Sequence, residues 1–123
     1  MQYAILCYHD EKVTCAWSKE HDDAVMAKLG VVMERLAGQG KLGPVARLLP
    51  TTAATTLRND RESPLVIDGP FAETKEQLLG FYLVDCANLD EVLAIAKELG
   101  AANPGGAYEV RPVGQFWPGK AVS

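Results

Sequence analysis

The strongest constraint on this chain is the order of its patterned segments. A short apolar run, QYAILCYH at residues 2–9, precedes a stripe of Met26, Leu29, Met33 and Leu36 at helical spacing, and a second extended run follows over Leu42–Leu49. The same order returns later: GFYLVDC over residues 80–86, a stripe of Leu89, Val92, Leu93, Ala96 and Leu99, then a last strand over Tyr108–Phe116. Between the halves, the Thr-rich segment Thr51–Arg58, the turn pair Asn59-Asp60 and Pro64–Ile67 form a hairpin pattern. Two βαβ halves predict an α+β chain, a ferredoxin-like split βαβ sandwich with a hairpin insertion.

Local punctuation supports these boundaries. Ser18 is placed to cap the first helix, followed by Glu20, Asp22 and Asp23 where a helix start favours negative charge, and Gly38 and Gly40 end it. Asn88 with Glu91 three residues on is a capping box, and Gly100 closes the second helix. Pro44 has no N–H for a ladder, so the second strand belongs at a sheet edge or begins after the proline. The first and third main strands are apolar on both faces, yet both helices of this fold cover the same face. The other face needs a cover, and a second copy packed sheet against sheet supplies it. A homodimer, a dimeric α+β barrel, is therefore expected, built from one domain spanning residues 1–123.

Composition narrows the partners. Twelve basic against 16 acidic side chains give a net charge of −4, and no Lys/Arg run is present, which argues against nucleic acid and against a membrane surface. No stretch approaches the roughly 20 apolar residues of a membrane span. The opening MQYAILCYHDE lacks the basic region of a signal peptide. Cys7, Cys15 and Cys86 show no CxxC spacing and read as reduced thiols of a cytoplasmic protein. No phosphate-binding glycine motif, no GxSxG and no convergent His or Cys spacing appears, so no cofactor and no metal is expected.

The densest chemistry lies in Asp68-Gly69-Pro70-Phe71-Ala72-Glu73-Thr74-Lys75-Glu76. On one reading Asp68 caps a turn, Phe71 is an apolar plug and the rest caps a helical turn. On the other, a partly desolvated carboxylate at the end of an apolar strand serves as general acid or base, with Glu73 as second carboxylate and Lys75 for charge. His9 is either an exposed strand end or an imidazole at a pocket rim, suited to proton transfer. Arg111 shares a strand face with Glu109 and is either solvated or a clamp for Asp68, Glu73 or an anionic ligand. Tyr8 and Tyr82 are candidates for core or pocket.

The run DGPFAETKEQLLGFYLVD, the terminal YEVRPV and the opening strand ending Tyr8-His9-Asp10-Glu11 closely resemble the DGPF-motif branch of the YCII-related domain family. The resemblance spans essentially the whole chain and implies a ferredoxin-like fold paired into a dimeric α+β barrel. A broader relative is a dehydrochlorinase acting on a chlorinated hydroxyhydroquinone, with a His-Asp pair proposed for the wider family. The position corresponding to that histidine is Leu29 here, so the pair does not transfer. Members of the DGPF branch are often encoded beside alternative sigma factors, which implies a regulatory association. Two functions follow: a small-molecule acid/base enzyme of lyase or isomerase type with a pocket near the motif, or a non-catalytic dimer that binds a ligand or protein in a regulatory role.

Overall fold

The computed structural model describes residues 1–119. Ten short elements follow one another: β1 (Gln2–His9), α1 (Glu11–Thr14), α2 (Lys19–Gly38), β2 (Leu42–Arg47), a 3₁₀ turn (Thr51–Ala53), β3 (Thr55–Arg58), β4 (Leu65–Asp68), β5 (Gln77–Asp85), α3 (Leu89–Ala102) and β6 (Ala107–Pro112). Four strands form one sheet in the order β2-β5-β1-β6, every neighbour antiparallel, and β3-β4 form a separate two-stranded sheet. Each βαβ unit therefore straddles one strand of the other. The result is an α+β fold with a mostly antiparallel sheet, consistent with the ferredoxin-like arrangement.

The caps behave as local chemistry requires. Ser18 Oγ accepts from the His21 amide at 3.0 Å, and Asn88 Oδ1 from the Glu91 amide at 2.9 Å, so each helix start has one orphan donor satisfied. At the end of α2, the Gly40 and Lys41 amides donate to the carbonyls of Ala37 and Leu36. No apolar period in the sequence announces the four-residue α1, which has no buried residue. Asp10 Oδ1 accepts from the Lys12 amide and starts it directly after β1.

One face of the sheet is covered by α2 and α3. There Tyr3, Ile5, Tyr82 and Val84 of the central strands pack against Val25, Leu29 and Leu36 of α2 and Val92, Ile95, Ala96 and Leu99 of α3. The apolar stripe of α3 differs from the expected one, because Leu89 and Leu93 are exposed while Ile95 is buried. Gly100 does not close α3 either. The helix continues to Ala102, and the glycine makes room for the Tyr108 ring, which would lie 3.2 Å from a Cβ there. The last strand stops at Pro112 rather than Phe116, and the Val113 amide makes one further bond to the Gln2 carbonyl at 2.9 Å.

The opposite face carries Ala4, Leu6, Phe81 and Leu83, which are half-buried, and no helix among the described residues lies over them. β2 lies at the sheet edge as Pro44 demands, and its register shifts between Leu42 and Val45. That bulge sets Leu42, Val45 and Arg47 opposite Val84, Tyr82 and Gly80 respectively, all three on the helix side.

Candidate functional site

A cleft of about 530 Å³ opens on the helix side, between the N-terminal half of α2 and the end of the sheet where β1, β2 and β5 meet. Val25, Met26 and Leu29 form one wall, and Leu48, Leu49 and Pro50, which follow β2, form the other. Met26, expected in the core stripe, is part-exposed because α2 turns Val25 inward instead. The Leu48 amide donates to the Leu79 carbonyl at 2.8 Å and keeps the second wall on β5.

Cys7, Tyr82 and Tyr108 form the floor. They sit together because Cys7 pairs across β1-β6 with Tyr108 and lies beside Tyr82 on the same face. Burial pushes the Cys7 thiol up to about 11 and the two phenols up to about 12, each phenol further raised by the neighbouring Cys7. The floor is thus an uncharged set of S–H and O–H groups at neutral pH.

His9 closes one end. Its ring meets Trp17 edge-on with centroids 6.3 Å apart, and Trp17 in turn meets His21 at 4.6 Å. The loop before β6 packs on the imidazole: Gly105 has φ +97°, and a Cβ on it would come within 2.5 Å of His9 Nε2. Only glycine satisfies both conditions. The Nδ1 atom is buried and has no hydrogen-bond partner among the described residues. Buried polar atoms are nearly always paired, so an orphan on a cleft-lining imidazole marks the site.

At the rim Arg47 reaches Asp22 in the first turn of α2, Nη2 to Oδ1 at 2.8 Å and Nη1 to Oδ2 at 3.3 Å. The Arg47 guanidinium holds the Asp22 carboxyl below its ordinary range. Glu11 also lines the cleft, but its carboxylate is already engaged. One oxygen accepts from the Thr51 amide at 2.7 Å and the other from the Thr51 hydroxyl at 2.6 Å. The Glu11 amide donates to Gln77 Oε1 at 2.9 Å. Glu11 therefore ties the base of the β3-β4 arm to the end of β1.

Of the residues singled out in the sequence, the structure brings His9 and Tyr82 together in this cleft. It sets Tyr8 and Arg111 on the helix-free face, where the Tyr8 hydroxyl lies 3.3 Å from Glu109 Oε1. Burial, then Glu109, raises the Tyr8 phenol. Asp68, Glu73 and Lys75 are exposed on the arm and the loop after it, and none lines the cleft. Gly69, with φ +109°, makes the turn that follows Asp68, and its amide donates to the Ala54 carbonyl at 2.8 Å. Phe71 is 75% exposed, with the Arg58 guanidinium 5.4 Å above its ring. Trp17 stands against both histidines, and among the described residues no three His, Cys, Asp or Glu side chains converge as a metal site.

No sequence pattern singles out Arg47, Tyr108 or Trp17 as site residues, and Asp22 reads most simply as one of the acidic residues of a helix start. Arg47 was hidden by the bulge in β2, since simple alternation puts it opposite Leu42. An aromatic immediately before the Ser18 cap was the one available hint for Trp17.

No helix is long and apolar enough to cross a membrane among the described residues. The model of the YCII-related domain matches residues 1–117. The chain is also similar to an uncharacterized protein of Rhizobium meliloti (strain 1021), 60% identical over 124 residues that span the whole of both chains.

Proposed function

The chain belongs to the YCII-related domain family, and from that footing we propose that it is a small-molecule acid/base enzyme of lyase or isomerase type, working as a cytoplasmic homodimer. The sequence Asp68-Gly69-Pro70-Phe71 supports its place in the DGPF-motif branch. The observation that carries the enzyme reading is His9, which lines the cleft and whose buried Nδ1 has no hydrogen-bond partner among the described residues. An imidazole held rigidly by Gly105 and Trp17 next to an apolar cavity is a proton carrier waiting for a substrate.

In this reading the substrate is a polar aromatic or carbonyl compound whose body lies between α2 and the β2 end. His9 takes a proton from one atom of the substrate and returns it to another. The reaction then balances without a co-reactant. The neutral Tyr82 and Tyr108 hydroxyls are the available donors for a substrate oxygen that gains charge during the transfer. Cys7, with its thiol pushed up to about 11, stays protonated and takes no nucleophilic part.

The homodimer is supported by the sheet face that no helix among the described residues covers, with Ala4, Leu6, Phe81 and Leu83, and by the exposed apolar side chains of the arm. Asp68, Glu73 and Lys75 stand outside the cleft of their own protomer, so a catalytic part for them runs through the second copy. The cytoplasmic setting is supported by three free cysteines.

Proton transfer is tested by deuterium uptake from heavy water into a panel of enolisable carbonyl and hydroxylated aromatic compounds, followed by NMR. The wild type should exchange at least one of them on the order of 100-fold faster than His9→Gln. If no compound exchanges faster with the wild type, yet native mass spectrometry shows one bound, the non-catalytic regulatory dimer is the correct reading. Asp68→Asn separates the two roles of the motif: lost exchange with unchanged melting assigns it to chemistry, and lowered melting with normal exchange assigns it to the turn. A monomer by light scattering at micromolar concentration would sink the dimer.

A further inference from the structure

We propose that Arg47 anchors a carboxylate-bearing ligand in the cleft, and that its ion pair with Asp22 is the resting-state contact which the ligand's own carboxylate replaces. The inference deepens the small-molecule reading of the cleft and rests on it. Arg47 ends β2 and Asp22 lies in the first turn of α2, so the pair spans the rim from the sheet to the helix. The two contacts, at 2.8 and 3.3 Å, run from separate guanidinium nitrogens to separate carboxylate oxygens. That is the forked geometry by which arginine recognises planar carboxylates. A carboxylate already occupies the position in which a ligand's would bind.

Three features make the exchange favourable. The side chains of Arg47 and Asp22 are 60% and 30% accessible, so an incoming anion reaches the fork without opening the fold. Swapping one carboxylate for another conserves the hydrogen bonds of Arg47. Asp22, once released, remains in the first turn of α2, where the helix N-terminus favours negative charge. Arg47 is the only lysine or arginine lining the cleft among the described residues, and Glu11, the other carboxylate there, is held on Thr51. The apolar walls of Met26, Leu29 and Leu48 lie beside the fork and bury the rest of the molecule. A ligand with one carboxylate on an aromatic or aliphatic body fits both demands, at a volume within the usual range for small-molecule pockets.

The test is an NMR titration of the amide resonances around the cleft with 3-phenylpropionate and its neutral counterpart 3-phenylpropionamide. The wild type should bind the carboxylate roughly tenfold more tightly than the amide. Arg47→Met should abolish that preference and leave amide binding within about twofold. Arg47→Lys, which keeps the charge and loses the fork, should retain an intermediate preference. Asp22→Asn should tighten carboxylate binding about threefold or more and leave the amide unchanged, because the internal competitor is weakened. A carboxylate preference that survives Arg47→Met, or carboxylate binding weakened by Asp22→Asn, overturns the anchor while the cleft reading stands. If neither compound shifts a cleft resonance in the wild type, the cleft is not a small-molecule site and the anchor falls with it.

Discussion

The cleft under α2 and the β3-β4 arm are assembled from similar material, and they end in opposite states. Each has a two-sided strand element, a positive-φ glycine, an arginine near an aromatic or acidic partner and several large apolar side chains. In the cleft those groups are fixed by contacts between distant segments: Cys7 beside Tyr108, Arg47 on Asp22, Gly105 against His9. In the arm the contacts are local, Thr56 Oγ1 to the Gly69 carbonyl at 2.8 Å and Arg58 to Asp60 at 2.6 Å, and Leu57, Val66 and Phe71 remain 58%, 65% and 75% exposed. A region enclosed by long-range packing desolvates its polar groups and so acquires chemistry. A hairpin paired only with itself leaves its ionisable groups in water, however dense they are in the sequence.

Glycine substitution is the sharpest way to probe that difference. Gly105→Ala should cost about 3 kcal/mol, from left-handed backbone strain plus the clash with His9, measured by urea unfolding. Gly69→Ala has the same backbone problem but nothing within 4 Å of the added methyl, so about 1–2 kcal/mol is expected. Equal costs at the two sites would show that the arm is packed as tightly as the cleft in solution.

High pH should weaken the cleft before it touches the arm. Cys7, Tyr82 and Tyr108 all carry raised folded-state values, about 11, 12 and 12. A group whose folded value lies above its unfolded one contributes stability that is present below the unfolded value and lost as pH rises through the folded one. Unfolding free energy should therefore fall from about pH 9 upward, with Cys7 accounting for about 1–2 kcal/mol after allowance for its partial exposure. Cys7→Ala should remove the first part of that slope; an unchanged slope would mean the floor is wet.

The smallest expected effect belongs to the arm. Phe71→Ala deletes a cation–π contact worth about 0.5–1 kcal/mol at an exposed site, so the melting temperature should move by only a few degrees. Its informative readout is association. If the arm is buried against a second copy, dimer dissociation measured by analytical ultracentrifugation should rise by about tenfold or more. No change in either quantity would make the arm a solvated turn.

Much of the fold was legible because its signals are local. Ser18, Asn88 and Pro44 act on backbone groups within a few residues, so the helix starts and the edge strand followed from reading the chain in order. The motif from Asp68 to Glu76 was equally visible as a turn, and Gly69 does make one. Legibility failed where one residue of register decides a face. The bulge between Leu42 and Val45 turns Arg47 to the helix side, and Gly100 continues α3 because Tyr108 packs on it.

The sequence by itself determined the order of the main strands and the two long helices, the caps of those helices and the α+β class, since each depends on period and nearest neighbours. Only the tertiary structure decided which groups share an enclosed space. His9 meets Trp17 and Gly105, and Arg47 meets Asp22, across separations that no local rule reaches. Those meetings are set by strand register and by which sheet face the helices cover, and both depend on the summed packing of the whole chain.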